Sequence, residues 1–131
     1  MKAMIFAAGL GTRLKPMTDT LPKALVPVAG SPLIEHVCRK LKASGISEAV
    51  VNVHHFADKI EQWAVEQEMM SLEISDERDR LLETGGAVLH ARKNLENSGN
   101  FLIHNVDILS NLDLNWFEGQ VLPGAMATLL V

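Results

Sequence analysis

The chain of 131 residues is 47% hydrophobic and 21% charged, with a formal net charge of −4. This composition suits a single globular core, and an acidic balance without a run of Lys and Arg argues against a nucleic-acid surface, which needs clustered cations. No stretch of about 18 consecutive apolar residues occurs and the N-terminus has no signal-peptide pattern, so a cytoplasmic protein without a membrane partner is expected.

Ala3 to Ala8 are small and apolar without alternation, the pattern of a strand buried on both faces in the middle of a parallel sheet. Gly9 ends it. From Leu10 to Ser31 the breakers Gly11, Pro16, Pro22, Pro27 and Gly30 predict one long loop, and long loops in compact domains are usually functional. Ser31 as N-cap and Pro32 at the first helical position predict a helix to about Ser44, with Leu33, Val37 and Leu41 on one stripe and Gly45 as the stop. Cys38, the single cysteine, falls in this helix and can form no internal disulfide.

Glu48 to Val53 reads as a second buried strand, and Ala57 to Glu68 as a helix turning Ile60, Trp63 and Ala64 inward. Between them lie His54 and His55. As neighbours at a strand end they point in opposite directions, which disfavours a shared metal. Leu72 to Ser75 is a short third strand, and the charged run Asp76 to Arg80 predicts a solvated loop. Thr84-Gly85-Gly86 opens a helix to about Lys93, and Phe101 to His104 is a fourth strand ending at Asn105-Val106-Asp107. Leu112 to Phe117 is a short helix. Ala125 to Val131 is as apolar as a central strand with nothing after it to cover it, which suggests a piece of a longer protein.

Strands alternating with helices of these lengths predict an α/β fold: a three-layer α/β/α sandwich, Rossmann-like, around a mostly parallel sheet. Ligands of such sheets gather at the carboxyl ends of the strands. Gly9-Leu10-Gly11-Thr12-Arg13 stands at the end of the first strand. Its glycines let backbone amides approach an anion, and Arg13 offers a planar fork of donors for phosphate oxygens. The dinucleotide fingerprint fails because position 14 is Leu where a third Gly is needed, and the P-loop fails because Leu14-Lys15-Pro16 is not Gly-Lys-Ser/Thr.

The whole run Ala7-Ala8-Gly9-Leu10-Gly11-Thr12-Arg13-Leu14, Pro16, Thr18, Pro22-Lys23, Leu25-Val26-Pro27-Val28 and Gly30-Ser31-Pro32-Leu33 resembles the opening signature of the sugar-phosphate nucleotidyltransferases. Those enzymes join a nucleoside triphosphate to a sugar 1-phosphate and release pyrophosphate. The short Ala-Ala-Gly start and Glu83-Thr84-Gly85-Gly86 look most like the bacterial uridylyl- and guanylyltransferases of N-acetylmuramate or mannose 1-phosphate. The resemblance covers nearly the whole chain and implies that residues 1–131 are the nucleotide-binding N-terminal part of one nucleotidyltransferase domain.

It further implies that backbone around Ala7, Ala8 and Gly9 reads the base, with Gly11 and Thr12 beside the phosphates. Arg13 would hold the β- and γ-phosphates and Lys23 would approach the α-phosphate, where charge builds during in-line attack. Glu83, Gly85 and Gly86 would close the base and ribose pocket; apart from the resemblance, the solvated loop from Asp76 to Arg80 is expected at the pocket rim, with Glu77 in reach of the base. Asp107 would hold Mg²⁺, a cation that prefers oxygen ligands and bridges phosphates. The family usually has Gly where this chain has Val106, and its second metal-binding aspartate and much of its sugar site would follow Val131. Two other readings stay open at this point: a nucleotide-binding or regulatory module without turnover, and a cytidylyltransferase acting on an alcohol phosphate such as choline phosphate. Base, sugar and oligomeric state are not specified by these residues.

Overall fold

A computed structural model describes residues 1–131. Strand β1 (Lys2–Phe6) has Ala3, Met4 and Ile5 fully buried, which accounts for its unbroken apolar run. The segment predicted as one long loop is built from short pieces. Three 3-10 turns, Thr12–Leu14, Met17–Asp19 and Lys23–Leu25, lead into a hairpin of β2 (Pro27–Val28) and β3 (Ser31–Pro32). Its two turn residues, Ala29 and Gly30, have φ of 49° and 85°, the left-handed pair that suits the twist of a tight hairpin.

Helix α1 (Leu33–Ala43) starts later than the Ser31 cap predicted. Ser31 and Pro32 are held extended by pairing with Val28 and Pro27, so Pro32 takes the cap position. The Ser31 hydroxyl meets Glu35 at 3.1 Å, and the first helical amide, that of Leu33, donates to Val26 O at 3.1 Å. The predicted stop is found as expected. Gly45 has φ 84°, its amide donates to Lys42 O and the Ile46 amide to Leu41 O, both at 3.0 Å, the paired bonds of a Schellman end.

Strand β4 (Glu48–Val53), α2 (Ala57–Glu66), β5 (Ser71–Asp76), α3 (Glu83–His90), α4 (Arg92–Leu95), β6 (Phe101–Asn105) and α5 (Leu114–Glu118) complete the order. The helix predicted from Thr84 to Lys93 is broken at Ala91, whose ψ of 3° leaves the helical range. α5 is capped by Asp113, whose carboxylate accepts from the amides of Asn115 and Trp116.

The sheet has the order β5-β4-β1-β6 and is parallel throughout. Alternation along the strands divides the core between its faces. Ala3, Ile5, Ala49, Val51 and Val53 pack with α1 and α2, whereas Met4 and Val50 pack with Ala87, Ala91 and Leu95 of α3, α4 and their junction. Helices thus cover both faces, giving the predicted three layers.

The expected last strand does not form. Residues 125–131 carry no strand pairing, and Leu129 and Val131 are exposed. Apolar β-branched and aliphatic content supplies strand propensity, but a strand also needs a neighbour for its amides and carbonyls, and none lies beside this segment. No helix is long and apolar enough to cross a membrane.

Candidate active site

From β1 the chain moves outward through β4 to β5, then returns across the sheet to β6 on the other side of β1. This reversal puts a topological switch point between the carboxyl ends of β1 and β6, where diverging loops leave a crevice for ligands. Residues 7–11 leave one side of it and Val106 and Asp107 the other.

Lys23 spans the gap: its Nζ donates to Asp107 Oδ2 at 2.9 Å. One glycine lies beside it and another makes room for it. A Cβ on Gly9 would lie 3.6 Å from Lys23 Nζ, and one on Gly11 would meet Lys23 Cβ at 3.0 Å and Thr18 Cγ2 at 2.8 Å. Gly11 also has φ 65°, so its conformation and its surroundings both exclude a side chain. Thr18, 2% exposed, fixes the bend by donating from its hydroxyl to Gly11 O at 2.7 Å.

The hydrogen bond from Lys23, opposed by partial burial, holds the Asp107 carboxyl below the usual carboxylate range, and the Arg13 charge adds to the effect. Arg13 and Thr12 are exposed on the turn that follows Gly11. Two cations beside glycine backbone make a surface suited to phosphate oxygens, and a carboxylate supplies the counterweight while no anion is bound. Val106 does not crowd this crevice. Its side chain is fully buried in the core and its amide donates to Phe6 O at 3.1 Å, which leaves Asp107 at the rim.

Ala7 and Ala8 are 2% and 3% exposed, and the Ala7 amide is already committed: it donates to Asn52 Oδ1 at 2.8 Å. Asn52 Nδ2 donates in turn to Glu77 Oε1 at 2.9 Å, and Glu77 Oε2 accepts from the Leu82 amide at 3.1 Å. The expectation of a solvated Glu77 is therefore wrong, since it is 3% exposed. Its amide extends the sheet by donating to Val53 O at 2.8 Å, and the alternation of β5 carries Glu77 inward with Ser75 while Asp76 faces out. Carrying that alternation past Ser75 was the signal in the sequence. Asn52 had none, being one polar residue in an apolar strand.

At the other end of this link, Glu83 opens α3 with φ 58° and is exposed. Gly85 faces open space, whereas a Cβ on Gly86 would lie 3.1 Å from Leu82 Cβ. The two histidines separate as their positions predicted: His54 Nδ1 bonds Glu77 O at 2.7 Å and the His55 ring packs on Phe56.

A family model described as nucleotidyl transferase matches residues 2–118. The chain belongs to the nucleotidyl transferase family. Its sequence is 45% identical over 120 residues to an N-acetylmuramate alpha-1-phosphate uridylyltransferase of Caulobacter vibrioides, covering 88% of this chain and 47% of that protein. It is 32% identical over 124 residues to mannose-1-phosphate guanyltransferase beta-B of Xenopus laevis, covering 92% of this chain and 34% of that one. Among solved structures, HddC from Yersinia pseudotuberculosis complexed with GMP-PN superposes with a TM-score of 0.78 at 29% identity, over 90% of this chain and 52% of that one. The chain thus spans about half the length of the uridylyltransferase and of HddC, and about a third of the guanyltransferase.

In this nucleotidyl transferase fold, Asp107 is the carboxylate that faces the crevice beside Lys23. No group of three or more His, Cys, Asp or Glu is placed to hold a metal ion. A single hard oxygen ligand fits Mg²⁺, which keeps most of its shell for water and phosphate oxygens, and does not fit a cation that needs an all-protein cage.

Proposed function

We propose that residues 1–131 form the N-terminal, nucleotide-binding part of a single nucleotidyltransferase domain, in a cytoplasmic enzyme that joins UTP to N-acetylmuramate α-1-phosphate and releases pyrophosphate. The observation that carries this reading is the Lys23 ammonium lying against Gly9 and bonded to Asp107 at the switch point of the sheet. The choice of base and sugar rests on two relatives with that name, 45% and 42% identical to this chain.

In this reading the sugar phosphate oxygen attacks the α-phosphorus of the nucleotide, a new P–O bond forms, and the bond to the β-phosphate breaks. Arg13 grips the β- and γ-phosphates and so favours departure of pyrophosphate. Lys23 exchanges Asp107 for the α-phosphate and meets the charge that builds there. Gly9 and Gly11 let backbone amides approach the phosphates, with Thr12 at their side. Ala8 and Gly9 on one wall and Glu83, Gly85 and Gly86 on the other enclose the base and ribose. Mg²⁺ held by Asp107 would neutralise phosphate charge.

The test is pyrophosphate release, measured with UTP, GTP, CTP and dTTP against N-acetylmuramate 1-phosphate, mannose 1-phosphate and choline phosphate. UTP with N-acetylmuramate 1-phosphate is expected to turn over fastest, and Arg13→Ala or Lys23→Ala to slow it by about 100-fold. Wild-type turnover in both variants would remove the assigned roles. Nucleotide binding without pyrophosphate release would favour a module that keeps the fold alone, and preference for CTP with choline phosphate would favour the cytidylyltransferase reading.

A further inference from the structure

We infer that Asn52 and Glu77 form a buried strap that positions the nucleotide-reading backbone, by tying the loop after β1 to the start of α3. The inference rests on the proposed function, which puts these two segments on opposite sides of the base. Both residues are buried, and both act through the amides they hold.

Three contacts make the strap. The Ala7 amide donates to Asn52 Oδ1 at 2.8 Å, Asn52 Nδ2 donates to Glu77 Oε1 at 2.9 Å, and the Leu82 amide donates to Glu77 Oε2 at 3.1 Å. Asn52 is 4% exposed and Glu77 3%, so water has little access to replace a lost partner. Ala7 directly precedes Ala8 and Gly9, and Leu82 directly precedes Glu83, the exposed left-handed residue that opens α3. A shift of either amide therefore moves a wall of the pocket.

The direction of each bond is dictated by chemistry. A carboxylate only accepts, so Asn52 must turn its NH₂ toward Glu77 and its oxygen toward Ala7. One strand residue thus reads an amide on one side and a carboxylate on the other, and the polarity of the link between them can be reversed only by changing both side chains. The carboxylate of Glu77 is used entirely inside the protein, in a position that a surface loop would not demand. An unpaired buried amide costs more than the bond itself was worth, which makes the strap sensitive to single atoms.

Reciprocal substitution supplies the test. Asn52→Asp sets a carboxylate against Glu77. Glu77→Gln gives one end of the strap two facing donors whichever way the amide turns. The double variant Asn52→Asp/Glu77→Gln restores all three contacts, because the side chain at position 52 no longer needs to donate once the one at position 77 can, and the net charge is that of the wild type. UTP affinity by calorimetry is expected to fall about tenfold or more in each single variant and to return to within about threefold in the double. Amide hydrogen exchange at Ala7 and Leu82 is expected to rise together in each single variant and to be protected again in the double.

A general loss of stability would raise exchange throughout the sheet and would not be repaired by exchanging the two polarities. Singles that bind UTP as the wild type does, or a double variant no better than the worse single, would overturn the strap. If the wild type binds none of UTP, GTP, CTP and dTTP, the proposed function fails. Exchange then decides the strap alone: coupled rise and repair at Ala7 and Leu82 support it, and unchanged protection rejects it.

Discussion

Gly11 shows how much one position can carry. Its φ of 65° favours glycine, and its neighbours Thr18 Cγ2 and Lys23 Cβ stand 2.8 and 3.0 Å from where a Cβ would be. Gly11→Ala is therefore expected to destabilise the protein by about 1–3 kcal/mol, from left-handed strain and overpacking together. Chemical denaturation measures the loss. Lys23 must also move, so pyrophosphate release should fall by more than the unfolded fraction explains, and a variant of unchanged stability and rate would remove this account. The composition of the loop made Gly11 and Lys23 visible in the sequence, whereas the contact between them depends on a turn that brings Thr18 back to Gly11 O. Glu77 was misread for a related reason: a charge in a polar run looks solvated until the pairing partner across the sheet is known.

At the scale of elements, β1 and β5 are tied at their amino ends, away from the crevice. Lys2 Nζ donates to Glu73 Oε1 at 2.7 Å and to Asn94 O at 3.0 Å, while Asn94 Nδ2 donates to Glu73 Oε2 at 2.6 Å. The bond from Asn94, then that from Lys2, holds the Glu73 carboxyl below its ordinary value of 4.5. The bond to Glu73 raises Lys2 above its ordinary 10.5. The contribution of Glu73 is thus present above about pH 4.5 and lost as pH falls through its lowered folded value. That of Lys2 is present below about pH 10.5 and lost as pH rises through its raised one. Glu73 has a side chain 42% exposed, so the pair is worth under about 1 kcal/mol. Glu73→Gln is expected to lower stability by a few tenths to about 1 kcal/mol at neutral pH and to flatten the acid limb. Urea titrations across pH decide it, and an acid limb as steep as that of the wild type would refute the assignment.

Across the whole molecule, the two-sided core predicts a closed interior. Cys38 is fully buried between α1 and the sheet, and burial, with a smaller contribution from Glu35, pushes its thiol up to about 12. Alkylation at neutral pH is expected to proceed only as fast as the protein opens, and to accelerate in step with denaturant; rapid labelling of the native state would contradict the packing. The four sheet strands, the glycine stop of α1 and the signature from Ala7 to Leu33 were legible in the sequence, because apolar runs, breakers and loop chemistry are local properties of the chain. The strand expected at residues 125–131 was not found, because pairing belongs to two segments and propensity to one. For the same reason the residue order settled alone that a glycine-rich loop with Arg13 and Lys23 follows a buried strand. The return of the chain across the sheet decided that Lys23 meets Asp107, and the placing of β4 between β1 and β5 that Asn52 joins Ala7 to Glu77, since residues far apart in the chain become partners only once the strand order is set.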